Sequence, residues 1–119
     1  MDTVKVTSFS QCFQSARMRS FTTLKTDSAT NCYRMFRNAS RLTTLPSLNM
    51  ANVTNTQDMF TGCSALTTLP ALNGLVKSIT LSACPLSSES LVGIFNSLGT
   101  PSTTQTITIG NTNRAKLTE

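Results

Sequence analysis

Residues 53–73, VTNTQDMFTGCSALTTLPALN, largely reappear when the chain is slid back by 24 positions. Met59-Phe60 falls on Met35-Phe36, Leu66 on Leu42, Leu69-Pro70 on Leu45-Pro46 and Leu72 on Leu48. Asn73 falls on Asn49, and Asn55 on Asn31. A third copy is worn but legible. Cys12-Phe13 precedes Met35-Phe36 by 23 positions, and Met18, Phe21 and Leu24 lie 24 before Leu42, Leu45 and Leu48. A period between about 20 and 50 residues marks stacked repeats, each too small to close a core alone. The recurrence constrains architecture far more than activity.

Each copy divides into two halves. Thr54 is a good helix N-cap, and Gln57 three positions later completes a capping-box pattern. Val53, Phe60 and Cys63 follow at spacings compatible with one helical face, with Met59 beside it and Gly62 weakening the end. The other half, LTTLP, is β-branched and apolar, and its proline ends the ladder. Helix, strand and loop every 24 residues predict an α/β fold, a leucine-rich-repeat solenoid with short helices packed on a parallel sheet and both ends open. Residues 1–73 form three coils in this reading, the first incomplete. Either a preceding unit has been cut away or a short DTVKV strand, residues 2–6, covers the open end.

After Asn73 the pattern changes. Asn73-Gly74 is a turn signal. Ile79, Leu81, Cys84 and Leu86 fit the leucine-rich spacing LxLxxN/CxL, in which the Cys84 slot satisfies backbone groups at a bend. Ser87 or Ser88 caps a helix over SSESLVGIFNSL, with Leu91, Ile94, Phe95 and Leu98 on one face and Gly99 at the C-cap. Ile107 and Ile109 repeat the Ile79/Leu81 alternation 28 positions on. Residues 74–119 therefore read as a variant β-α-β unit, cut short where Thr118-Glu119 begin another helix.

The chain of 119 residues suffices for one domain, and 39% apolar content suffices for its core. With no Trp, that core is built from Leu, Val, Ile, Met and six Phe. No apolar run approaches a membrane span, and MDTVKV lacks the apolar region of a secretory leader. Cys12 takes the slot of Met35 and Met59, Cys63 that of Ala16 and Ala39, and Cys32 that of Thr56. Such slots favour reduced structural thiols over a bridge framework. Zinc is disfavoured by the absence of both CxxC and histidine.

These residues resemble a known family. MFTGCSALTTLPALN and NVTNTQDMF are similar to BspA-like leucine-rich repeats, including the variety of mycoplasma surface lipoproteins. The tail, from LSACPLSSESLVGIFNSLG to the end, resembles the segment that follows such repeats in phage tail-fibre and prophage structural proteins. The departures are Ala39 and Ala16, where the family often has Cys, and the imperfect first copy. The resemblance implies a surface-exposed binding or structural module of a phage fibre or bacterial adhesin, carried on a virion or cell surface as part of a longer protein.

The residues themselves offer no catalytic constellation. Without histidine the common bases and triads are missing, and Asp2, Asp27, Asp58, Glu89 and Glu119 form no motif. A non-enzyme with no cofactor and no metal is expected. Two binding surfaces are candidates. Thr43, Thr44, Thr67 and Thr68 occupy corresponding sheet positions and offer a hydroxyl ladder to a cell-surface glycan or protein. Arg17, Arg37 and Arg41 belong to a cluster holding six of the ten basic residues in a chain of net charge +5, with Tyr33 in the same region. That cluster would attract nucleic acid or another acidic polymer, although poor aromatic interleaving argues against base stacking. A small phage-encoded inhibitor of a host protein is a third reading, and open solenoid ends allow self-association.

Overall fold

The computed structural model describes residues 5–21 and 23–115. The DTVKV strand proposed at the start and the helix proposed at Thr118-Glu119 fall mostly or wholly outside them. Positions one period apart pair in parallel along three lines. Ser8, Asn31 and Asn55 bridge in succession, as do Ser20, Thr44 and Thr68. On the third line β1 (Leu48–Asn49) pairs with β2 (Leu72–Asn73), with Leu48 opposite Leu72 and Asn49 opposite Asn73. The residues aligned by the 24-position shift are thus neighbours in adjacent layers.

The repeated asparagines have a local cause. Asn31 Oδ1 accepts the Tyr33 amide and Asn55 Oδ1 the Gln57 amide, each at 3.0 Å, and Asn49 Oδ1 accepts Ala51 at 3.1 Å. Each turns the chain as it leaves a pairing line.

The helix expected in each copy is absent. Residues 33–38 and 57–62 are consecutive turns, as are 10–15. Cys32, Arg34 and Phe36 carbonyls accept amides three residues on, from Met35, Arg37 and Ala39, at 3.0–3.2 Å. The intervening amides of Arg34, Phe36 and Asn38 point across to Gln57, Met59 and Thr61 carbonyls in the next layer, at 2.7–2.9 Å. A helix keeps its amides for itself; here alternate ones bind the stack together. Left-handed residues every four positions make this possible: Gln11 and Ser15, Arg34 and Asn38, Asp58 and Gly62. The capping-box reading of Thr54 and Gln57 fails for the same reason.

Inside the layers, side chains stack on their counterparts. Phe13, Phe36 and Phe60 form a column with centroids 5.7 Å apart and planes within 11°. Phe21 meets Phe13 edge-on at 4.8 Å. Leu42, Leu45, Leu48, Leu66, Leu69 and Leu72 are fully buried around it. At about 1.5–3 kcal/mol per buried large side chain, this column and its leucine walls supply the main stabilisation.

The remainder of the described chain holds two further strands and two helices. β3 (Ile79–Thr80) pairs in parallel with β4 (Ile107–Thr108), Ile79 opposite Ile107. Between them lies α1 (Ser88–Ser97), capped by Ser87, whose side chain accepts the Ser90 amide. Leu91 and Ile94 are buried as expected, but Phe95 is 40% exposed. Within its turns a helix offers little free backbone to a sheet edge, so hydroxyls join its last carbonyl, Ser97 O, which accepts the Gly74 amide at 2.8 Å. Ser90 Oγ accepts the Leu69 amide at 3.1 Å, and Ser97 Oγ accepts Leu72 at 3.0 Å. The C-cap is Leu98, in extended conformation, not Gly99. Gly99 is required for space, because a Cβ there would meet the Gly74 carbonyl at 2.6 Å. A second helix, α2 (Gly110–Ala115), was not anticipated.

Candidate functional site: threonine rows and the arginine cluster

Thr43 and Thr67 lie exposed at the same position of successive layers, whereas Thr44 and Thr68, paired with each other, are half-buried. Thr43 grips the Arg19 carbonyl with its amide at 2.8 Å and its hydroxyl at 3.1 Å. Thr67 holds the Thr43 carbonyl in the same way, at 3.0 and 3.4 Å. Only a short β-hydroxyl side chain can chelate one carbonyl with both groups from an extended backbone. The ladder therefore differs from the expected one: its hydroxyl protons are spent within the stack, and it presents oxygen lone pairs outward.

Sequence reasoning missed an equivalent row. Thr30 chelates the Thr7 carbonyl at 2.8 and 3.1 Å, and Thr54 chelates Thr30 at 2.8 and 3.1 Å. All three are exposed. The signal was present, since Thr7 aligns with Thr30 in the repeat, but the helical reading of these positions hid it. Two lines of acceptors thus run up the stack.

The basic residues divide into two sets. Arg17, Arg19 and Arg41 are exposed, and Arg37 is half-buried. The Ser15 amide binds Arg37 O and the Thr43 amide binds Arg19 O, both at 2.8 Å, which sets Arg17 alongside Arg41 in adjacent layers. Arg34 is already engaged: its Nε lies 3.7 Å from Asp58 Oδ2, and its guanidinium sits 4.8 Å above the Tyr33 ring. Tyr33, half-buried under that cation, is a support for Arg34 instead of an open stacking platform.

The thiols occupy the interior with one exception. Cys32, Cys63 and Cys84 are buried and free, whereas Cys12 is exposed although its counterparts Met35 and Met59 are buried. Cys63 Sγ donates to the Phe36 carbonyl at 3.0 Å, and Cys84 Sγ faces the Phe60 carbonyl at 3.8 Å. Burial pushes the Cys32 thiol up to about 12. Its hydrogen bond with Cys63, and burial, push Cys84 up as well. Cys32 and Cys84 are therefore protonated and inert at neutral pH, whereas the hydrogen bond from Cys84 draws the Cys63 thiol down. Asn113 of α2 continues the pattern one layer on, donating to the carbonyls of Leu81, Cys84 and Ile109 at 2.8–3.2 Å.

Residues 1–72 match the model of the family described as Mycoplasma protein of unknown function, DUF285. The chain belongs to that family, and its repeat is of the mycoplasma type. No curated protein and no solved structure matches it. Among the described residues, no helix is long and apolar enough to cross a membrane.

Proposed function

We propose that this chain is a non-catalytic recognition module, a BspA-like leucine-rich-repeat solenoid carried on a phage tail fibre or bacterial surface adhesin, that binds a host-surface glycan or protein. What supports the reading is the pair of threonine rows, Thr7-Thr30-Thr54 and Thr43-Thr67, held at the layer spacing by carbonyl chelation. A partner with regularly spaced donors, such as the hydroxyls of a glycan, meets an array that needs no ordering on contact.

The exposed Arg17, Arg19 and Arg41 support a second reading, attraction of nucleic acid or another acidic polymer. Cell-binding and glycan-array assays on two variants separate the two. Under the first reading, Thr43→Val with Thr67→Val abolishes binding, and salt between about 50 and 200 mM changes it little. Steep loss across that range, with loss only in Arg17→Ala/Arg37→Ala/Arg41→Ala, would establish the second.

A further inference from the structure

In the second layer the amides of Cys32, Arg34, Phe36 and Asn38 each donate to a carbonyl of the third, at 2.7–2.9 Å. One period on, the amides of Thr56, Asp58, Phe60 and Gly62 find no such carbonyl among the described residues. The cause is path length. The third layer runs from Asn55 to Thr67 between two pairing lines, whereas the layer beyond covers the same side from Ile79 to Ser87. The shorter path falls short of the turns above it. A cleft of about 280 Å³ opens there, lined by Thr56, Asp58, Thr61, Thr80, Thr106 and Thr108 with Ile79 at its wall. At one side the Thr56 hydroxyl donates across to the Ser78 carbonyl at 2.5 Å and narrows the cleft.

The chemistry of the walls selects an occupant. Among the described residues, Asp58 is the only carboxylate lining the cleft, and it faces Arg34 at 3.7 Å, so neither a cation nor an anion finds a charged cage. Hydroxyls dominate, and they suit a neutral polyhydroxylated molecule. The amides of Thr56 and Asp58 add a sharper requirement. Their counterparts Cys32 and Arg34 each receive an amide carbonyl from the adjoining layer, and here that layer is replaced by the cleft. We propose that the cleft is a subsite for an N-acetylated amino sugar, whose acetamido carbonyl takes the place of the missing backbone carbonyl while its ring hydroxyls meet Thr80 and Thr108. This deepens the glycan reading and rests on it.

The test is an amide-resolved NMR titration of the whole chain with free N-acetylglucosamine, with glucose as the control. Thr56 and Asp58 amides shift with N-acetylglucosamine and not with glucose, and Thr80→Val with Thr108→Val weakens the response roughly tenfold. Both substitutions are at exposed strand positions that accept a β-branched residue, so the fold persists. Equal response to both sugars, no response, or shifts confined to other residues would overturn the proposal. So would a stronger response to an end-blocked threonine tripeptide, which would make the cleft a peptide site. Glycan-array binding that survives Thr80→Val/Thr108→Val would overturn the subsite alone and leave the glycan reading standing.

Discussion

Phe36 and Phe60 lie 24 positions apart and stack with their centroids 5.7 Å apart and their planes 10° from parallel. Both are fully buried, and each fills the space that the other's layer leaves open. Truncating either to Ala removes one disc from the column and leaves a cavity that two rigid layers cannot close. A loss of about 3–5 kcal/mol is expected, read by denaturant unfolding. Phe13, half-buried at the end of the same column, loses less when truncated.

The thiols should separate by reactivity. Cys12 is labelled by an alkylating reagent in the native state, while Cys32, Cys63 and Cys84 react only after unfolding. Mass spectrometry of labelled intact protein gives the count, and full labelling of the native protein would contradict the burial described.

Stability should also fall in alkali. The Cys32 thiol ordinarily ionises near 9.0 and is held protonated up to about 12 in the fold. The folded-state value is the higher one, so the unfolded chain loses its proton first. The stabilisation is whole below about pH 9 and drains away between 9 and 12, by up to about 1.4 kcal/mol per pH unit. Urea unfolding at several alkaline pH values shows the slope, and Cys32→Ala should reduce it, leaving the part that the raised Cys84 thiol contributes.

Gly93 is a helix-interior glycine, a position where alanine usually helps by about 1 kcal/mol. Here the sign reverses. A Cβ at Gly93 would collide with the Pro70 carbonyl, a backbone atom fixed between two pairing lines. Gly93→Ala should lower the melting temperature, and a rise would show that α1 can shift outward.

Asn113→Ala should cost about 1–3 kcal/mol, because the side-chain amide serves the carbonyls of Leu81, Cys84 and Ile109. Asn113→Asp tests the same point, since it removes the donors at nearly constant volume. At neutral pH Asn113→Asp should lose more than Asn113→Ala in thermal unfolding, because it also sets a buried carboxylate against three carbonyl oxygens.

The layer register was legible because identical residues stack on one another: leucine on leucine at 48 and 72, phenylalanine on phenylalanine at 36 and 60. The turns at 57–62 were not legible because Val53, Phe60 and Cys63 happen to match helical spacing. Left-handed conformations at Gln11, Arg34 and Asp58 leave no mark when the residue is not glycine. Of the candidate surface, the Thr43/Thr67 row could be read from the repeat. Its chelating geometry could not, because it depends on which carbonyl each layer offers. The cleft was invisible for a related reason: it arises from a difference in path length between two layers whose sequences do not align.

The chelated threonines have a consequence for how such a chain can change. Thr30, Thr54, Thr43 and Thr67 each hold a carbonyl 23 or 24 positions back, along two separate lines. Inserting one residue between those lines puts each partnership that spans it, on both lines, one position out of step. Adding a complete repeat would leave all of them matched. The molecule is therefore quantised in length: it tolerates growth by whole turns of the stack and resists growth by single residues, so its reach can be extended while its threonine rows keep their spacing.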